Sequence, residues 1–296
     1  MELSELQKII KNSGGQCHAL AYAEIILPKI NKLENSGKYE PILKQFRTAK
    51  NEGDLRGRLL EINFANLFLD KNINLLCCEK QDKRAGDVDF CWEIDNQKIY
   101  MELKLLQQDQ TTKESIKSQL DNTQTYAISR LDNTNDILRI QYDLIQKASL
   151  TKFSQTPQKN WINLIAIDVA ELQLGGIDIY DCILATRGNT AFSGKESGQF
   201  YQRNEVVGIF EELQENQINI DQKNWINQIQ KKLKGSPHPQ SYIHGALFLF
   251  REPKESAALA YDLTSLLVWN ENLISHNTDI EKISTSLYEV IPKRKC

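Results

Sequence analysis

The chain has 296 residues, 41% of them hydrophobic and 25% charged, enough apolar material for one large domain or two small ones. Seven Pro and 14 Gly exclude collagen-like and Pro-rich linker architectures, and the composition excludes global disorder. A net charge of −3 excludes a bulk polycation, so nucleic-acid binding needs a local basic surface or a metal. No apolar run approaches the roughly 20 residues that span a bilayer, and the N-terminal MELSELQKII lacks the basic region and apolar stretch of a secretion signal. Cys17, Cys77, Cys78, Cys91, Cys182 and Cys296 form no CxxC and read as reduced thiols of a cytoplasmic protein. His18, His238, His244 and His276 add no zinc-ligand spacing.

In chain order, the first fifty residues read as helical. Leu20, Ala23, Ile26 and Ile30 give a helix-period face that Pro28 interrupts; the NSGK turn at 35–38 and Pro41 start another helix. Asn51 to Asp54 supply a turn and cap before an apolar helix over 55–69. The texture then changes. Residues 74–78 form a short apolar run, and 88–94 and 99–106 read as strands joined by a hairpin turn at 95–98. Polar residues follow to about 122. A helix is expected over 136–153, with Ile137, Ile140, Leu144, Ile145 and Ala148 on one side. Strands are expected over 161–169 and 242–250, and a helix over 225–233. Helices, a strand meander, then helix and strand describe an α/β chain: a mixed sheet flanked by helices, with an N-terminal helical region (1–50) beside a core over 51–296.

The informative segment runs from Gly86 to Lys104. Alternate strand residues share a face, so Asp87 and Asp89 lie opposite Val88, Phe90 and Trp92. Likewise Glu102 and Lys104 lie opposite Met101, Leu103 and Leu105. A two-residue loop places Asp89 opposite Glu102; a four-residue loop places it opposite Lys104. Either even loop crowds three carboxylates and a lysine on one face, which is costly unless a cation neutralises them. Hard oxygen donors favour Mg²⁺ or Mn²⁺.

The strings GDVDF and YMELK, an acid-bearing strand, a turn and then Glu-x-Lys, resemble the motif of the PD-(D/E)xK nuclease superfamily. Gly86 stands where that motif has Pro. Glu61, in GRLLEINFANLF, fits the family's glutamate on the helix before the hairpin, with small Gly57 and Ala65 one turn either side. The resemblance spans about 55–170. It implies a restriction-endonuclease-like fold and a Mg²⁺-dependent nuclease, with Mn²⁺ as substitute. The most favoured activity is a DNA endonuclease of restriction or defence type, leaving a 5′-phosphate and a 3′-hydroxyl. Asp89 or Asp87, Glu102 and the Leu103 carbonyl would hold the metal, Lys104 would serve the attacking water, and Glu61 would assist. The primary aspartate stays open between Asp87 and Asp89, with Asp89 slightly favoured.

Double-stranded DNA is the expected partner, with no membrane association and a homodimer as a candidate assembly. Lys83, Arg84, Lys113 and Lys117 flank the motif, and Gln141 and Lys147 follow on the next helix; these are the candidate nucleic-acid contacts. Two other readings stand beside the nuclease: a catalytically silent binding or interaction module on the same fold, and a signal-activated DNA or RNA nuclease. Rival motifs are weaker. Asp87-Val88-Asp89 also matches a glycosyltransferase DxD but lacks an upstream nucleotide-binding βαβ unit. GNTAFSGK at 188–195 is one residue too long for a P-loop, and Glu196 replaces its Ser or Thr. The second Glu-x-Lys, Glu252-Pro-Lys254, contains Pro and lacks an upstream acid-bearing strand. Asp178 and Asp181 read as helix-start chemistry.

Overall fold

The computed structural model describes residues 1–14, 17–81, 86–108, 110–123, 134–149, 152–173, 176–188, 206–211, 220–233, 238–254, 257–274 and 279–294. Four helices come first: α1 (Leu3–Asn12), α2 (Cys17–Ser36), α3 (Glu40–Arg47) and α4 (Glu52–Asp70). Strands β1 (Leu75–Lys80), β2 (Asp87–Ile94) and β3 (Gln97–Leu105) follow, then α5 (Gln110–Thr123), α6 (Thr134–Ser149) and β4 (Trp161–Asp168). Next come α7 (Ala170–Gln173), α8 (Ile179–Arg187) and α9 (Ile220–Leu233). Strands β5 (Gly245–Lys254) and β6 (Ala257–Trp269), then α10 (Glu271–Ile274) and α11 (Ile280–Val290), complete the described chain.

The six strands form one open mixed sheet in chain order. β2 pairs antiparallel with β1 and with β3; β3, β4 and β5 run parallel, and β6 returns antiparallel. Parallel neighbours need long crossovers. α5 and α6 make the first, and α7 to α9 lie in the second. β4, the central strand, is buried along its whole length, as a strand covered on both faces must be. Its residues alternate between two cores. Ile162, Leu164 and Ala166 join α1 to α4 and α11; Ile165 and Ile167 join α6, α8 and α9.

The hairpin that carries the acids is set by its turn. Ile94 pairs with Gln97, so Asp95 and Asn96 are the loop, and both adopt positive φ (46° and 66°). That is the type I′ geometry favoured by right-twisted strands and by Asp and Asn. On the α4 side, Phe64 stacks on Phe90 at 5.4 Å and Phe68 packs edge-on to Trp92 at 5.7 Å. These aromatic pairs fix α4 behind the hairpin.

Several sequence expectations change. α2 passes through Pro28 without ending. The polar stretch after the hairpin contains a helix, α5. The helix expected to reach residue 153 ends at Ser149. Strand β6 was not anticipated. The N-terminal helices share their buried cluster with the inner residues of β2 to β5, including Phe90, Met101 and Leu164. A Cβ at Gly57 would meet nothing within 4 Å, so Gly57 makes no close approach to the sheet. Asp178 does cap α8, in a reciprocal capping box with Asp181. No helix among the described residues is long and apolar enough to cross a membrane.

Candidate active site

The β2–β3 register puts Phe90 opposite Met101, which brings Asp89 to Glu102 where the regular pairing ends. There the two carboxylates replace the ladder. The Asp89 N–H donates to Glu102 Oε1 at 3.1 Å, and the Leu103 N–H donates to Asp89 Oδ2 at 2.7 Å. The strand turns at this point. Val88 joins the α6-side core with Cys91 and Tyr100, whereas Phe90 joins the α4 side. Simple alternation places Val88 and Phe90 together, whereas the structure puts them in different cores, on either side of Asp89.

Glu102 is fully buried (0% exposed). Both of its oxygens accept from Lys152 Nζ, at 2.8 and 2.9 Å, and Oε2 also accepts from Lys147 Nζ at 2.9 Å. The same ammonium groups stand 3.7 and 3.8 Å from Asp89. Two lysines thus bridge two acids. Burial, then the Asp89 charge, push Glu102 above the usual carboxylate range, against the pull of Lys147 and Lys152. Burial opposes the Lys152 charge, but Asp89 and Glu102 more than offset it and hold its pKa above the ordinary value.

Glu61 approaches this cluster from α4. Arg58 Nη1 donates to Glu61 Oε1 at 2.8 Å. Burial and then the Asp89 charge push the Glu61 carboxyl up to about 7, with Arg58 and Lys147 pulling it back. Helix α4 thus contributes a third acid to the same field.

The remaining sequence candidates separate. Lys104 projects toward α6, where its Nζ meets Asp143 at 2.7 Å. Asp87 is 54% exposed and lies 3.5 Å from Lys80, at the start of β2. Leu103 packs its side chain into the α4-side core and presents its backbone between the two acids. Lys113 pairs with Glu171 at 3.2 Å, and Lys117 is exposed. Gln141 needs correction as a nucleic-acid contact. It is 0% exposed, donates to the Ala185 and Val207 carbonyls, and accepts from Trp225 Nε1. Its amide is held inside the core by these three bonds. Lys83 and Arg84 lie outside the described residues. Lys152 was missed by sequence reading because it stands just beyond the helix, with no spacing that ties it to the hairpin.

Asp89 and Glu102 offer hard oxygen donors of the kind Mg²⁺ uses, one or two carboxylates completed by water and substrate oxygens. Among the described residues no group of three or more His, Cys, Asp and Glu side chains gathers closely enough to hold a metal by itself.

No family model matches the sequence, and no curated protein matches it. Among solved structures, the chain is similar to Pyrococcus furiosus SfsA in complex with Ca²⁺, at 10% identity and a TM-score of 0.23. The alignment covers 72% of this chain and 63% of that one, so the chain spans under two thirds of SfsA. A likeness that slight carries no argument, and the site rests on its own residues.

Proposed function

We propose that the chain is a Mg²⁺-dependent nuclease with a restriction-endonuclease-like core, most simply a DNA endonuclease of restriction or defence type acting on duplex DNA. The observation that carries this reading is the convergence of Asp89 and Glu102, one buried and both ringed by lysine ammonium groups, at the open end of the hairpin. Such a cluster concentrates opposite charges where a phosphodiester and a cation can share them. Asp89, Glu102 and the Leu103 carbonyl are the proposed ligands. Bound there, Mg²⁺ or Mn²⁺ supplies Lewis-acid polarisation and a water of lowered pKa. The protein's own part is to hold Asp89 and Glu102 by strand register, to place Glu61 from α4 behind them, and to set lysine charge beside the phosphate.

The test is cleavage of plasmid, linear duplex, single-stranded DNA and RNA by the full chain, with Mg²⁺, Mn²⁺ or chelator. Metal-dependent cutting is expected, and Glu102→Gln should lower it by about 10²–10³-fold or more. The two-lysine clasp also suits a second reading, a silent nucleic-acid-binding module in which ammonium groups neutralise the acids permanently. Binding without cutting under every metal, including after addition of cell extract to supply an activator, would establish that reading instead.

A further inference from the structure

In the motif the chain resembles, the amine of the site is Lys104. The geometry distributes the charges differently. Asp143 and Lys147 are one turn apart on α6, and Lys104 and Glu102 are two residues apart on β3. Both spacings are about 6 Å. The two elements therefore meet in two charged rungs: Asp143 with Lys104 at 2.7 Å, and Lys147 with Glu102 at 2.9 Å. The first rung takes up Lys104 in docking α6 against the sheet. The second leaves Glu102 to the end of α6 and the segment after it. There Lys152 reaches both Glu102 oxygens and stands 3.7 Å from Asp89. Its stem lies over Gly86, where an added Cβ would sit 3.4 Å from Lys152 Cγ. The backbone just before the acid strand thus packs against the lysine's stem.

We propose that Lys152, backed by Lys147, is the catalytic ammonium of the Asp89–Glu102 site, and that Lys104 is the structural partner of Asp143. The assignment rests on the nuclease reading and names a residue within it. In the reaction the water oxygen bonds to phosphorus as the bond from phosphorus to the 3′ oxygen breaks. One water proton passes through solvent to the leaving 3′ oxygen; the other stays with the new phosphate. Lys152 remains protonated throughout and stabilises charge on the non-bridging oxygens. A lysine near the chain's surface (26% exposed side chain) can swing from Glu102 to a phosphate without unfolding its surroundings.

The experiment compares Lys152→Met, Lys104→Met and the double variant Lys104→Met/Asp143→Leu, which removes the whole first rung. Melting curves confirm that each is folded. With Mn²⁺ and duplex DNA, Lys152→Met should lower kcat about 100-fold with little change in KM. Whichever of the two Lys104 variants is folded should keep kcat within about threefold. A second readout needs no substrate. Calorimetric titration with Mn²⁺ should show about tenfold tighter binding in Lys152→Met, because a cation 2.8 Å from Glu102 has been removed. Lys104→Met should leave that affinity unchanged. If the wild type cuts, and Lys104→Met is inactive while Lys152→Met is active, the assignment falls and the nuclease reading stands. A wild type that takes up Mn²⁺ and cuts no nucleic acid, with cell extract added, overturns both.

Discussion

Two acid clusters sit at the ends of neighbouring strands, and they differ in what holds them. Beyond β4, Asp168 accepts from the Ala170 N–H at 2.9 Å and from Arg251 at 2.6 Å. Glu171 accepts from the Gln108 N–H at 2.8 Å and pairs with Arg56 and Lys113. Each of these acids is tied to backbone and to a planar guanidinium. At β3, Glu102 accepts a single backbone N–H and is otherwise held by two lysine tips, beside Asp89 and near Glu61. Arginine forks and amides fix an acid in place, whereas ammonium groups on four-carbon stems can leave it. The first cluster is joinery between α4, β4 and β5. The second is poised to change partners.

The largest effect that would break this contrast is on stability. Asp168→Ala removes a fully buried carboxylate that accepts both the Ala170 N–H and the Arg251 guanidinium, and should cost about 3 kcal/mol, read from urea midpoints. Glu102→Gln keeps an acceptor for the Asp89 N–H and frees two lysines that can reach water, so the metal-free protein should change by about 1 kcal/mol or less. Equal losses in the two variants would erase the distinction.

A smaller effect concerns pH. The ordinary Glu61 value is 4.5 and the folded value is about 7, so the folded chain holds that proton more tightly. Its contribution to stability is full below pH 4.5 and is lost as pH rises through 7. Glu61→Gln should flatten this slope and raise stability at pH 8 by on the order of 2 kcal/mol. Denaturation at pH 5 and pH 8 checks the sign. A slope unchanged by the substitution would remove Glu61 from the cluster's field.

The smallest effect is expected at Asp87. Asp87→Asn removes only an exposed pair with Lys80 and should shift stability by less than about 0.5 kcal/mol. Cleavage should be unaffected. A large loss of turnover would return Asp87 to the site and weaken the distinction drawn between it and Asp89.

The hairpin was legible in the sequence because its residues report their own geometry: Asp95 and Asn96 tolerate positive φ, and alternation sorts most of both strands. The strands expected over 161–169 and 242–250 were legible as buried-strand patterns. β6 was not. Leu263 and Leu267 face one core while Leu266 and Val268 face the other, so its end shows no period of two, and Asp262, Thr264 and Ser265 interrupt its middle. α5 was hidden because its amphipathic signal is weak, with Ile116 its one buried residue among the described side chains. At the site, Asp89 and Glu102 could be read from register, but Lys152 depends on where α6 ends. Gln141 misled for the opposite reason: a polar residue on a helix reads as surface, and the contacts that bury it come from Ala185, Val207 and Trp225, all remote in sequence.

The Leu103 amide has one further consequence. Its proton is held by Asp89 Oδ2, so the site's first acid is also a clamp on the peptide plane of β3. Whatever draws that oxygen away loosens the plane at once, and the amide becomes free to exchange with solvent. Leu103 is therefore a gauge of the Asp89 carboxylate: its amide resonance and exchange rate report whether Oδ2 still accepts its proton.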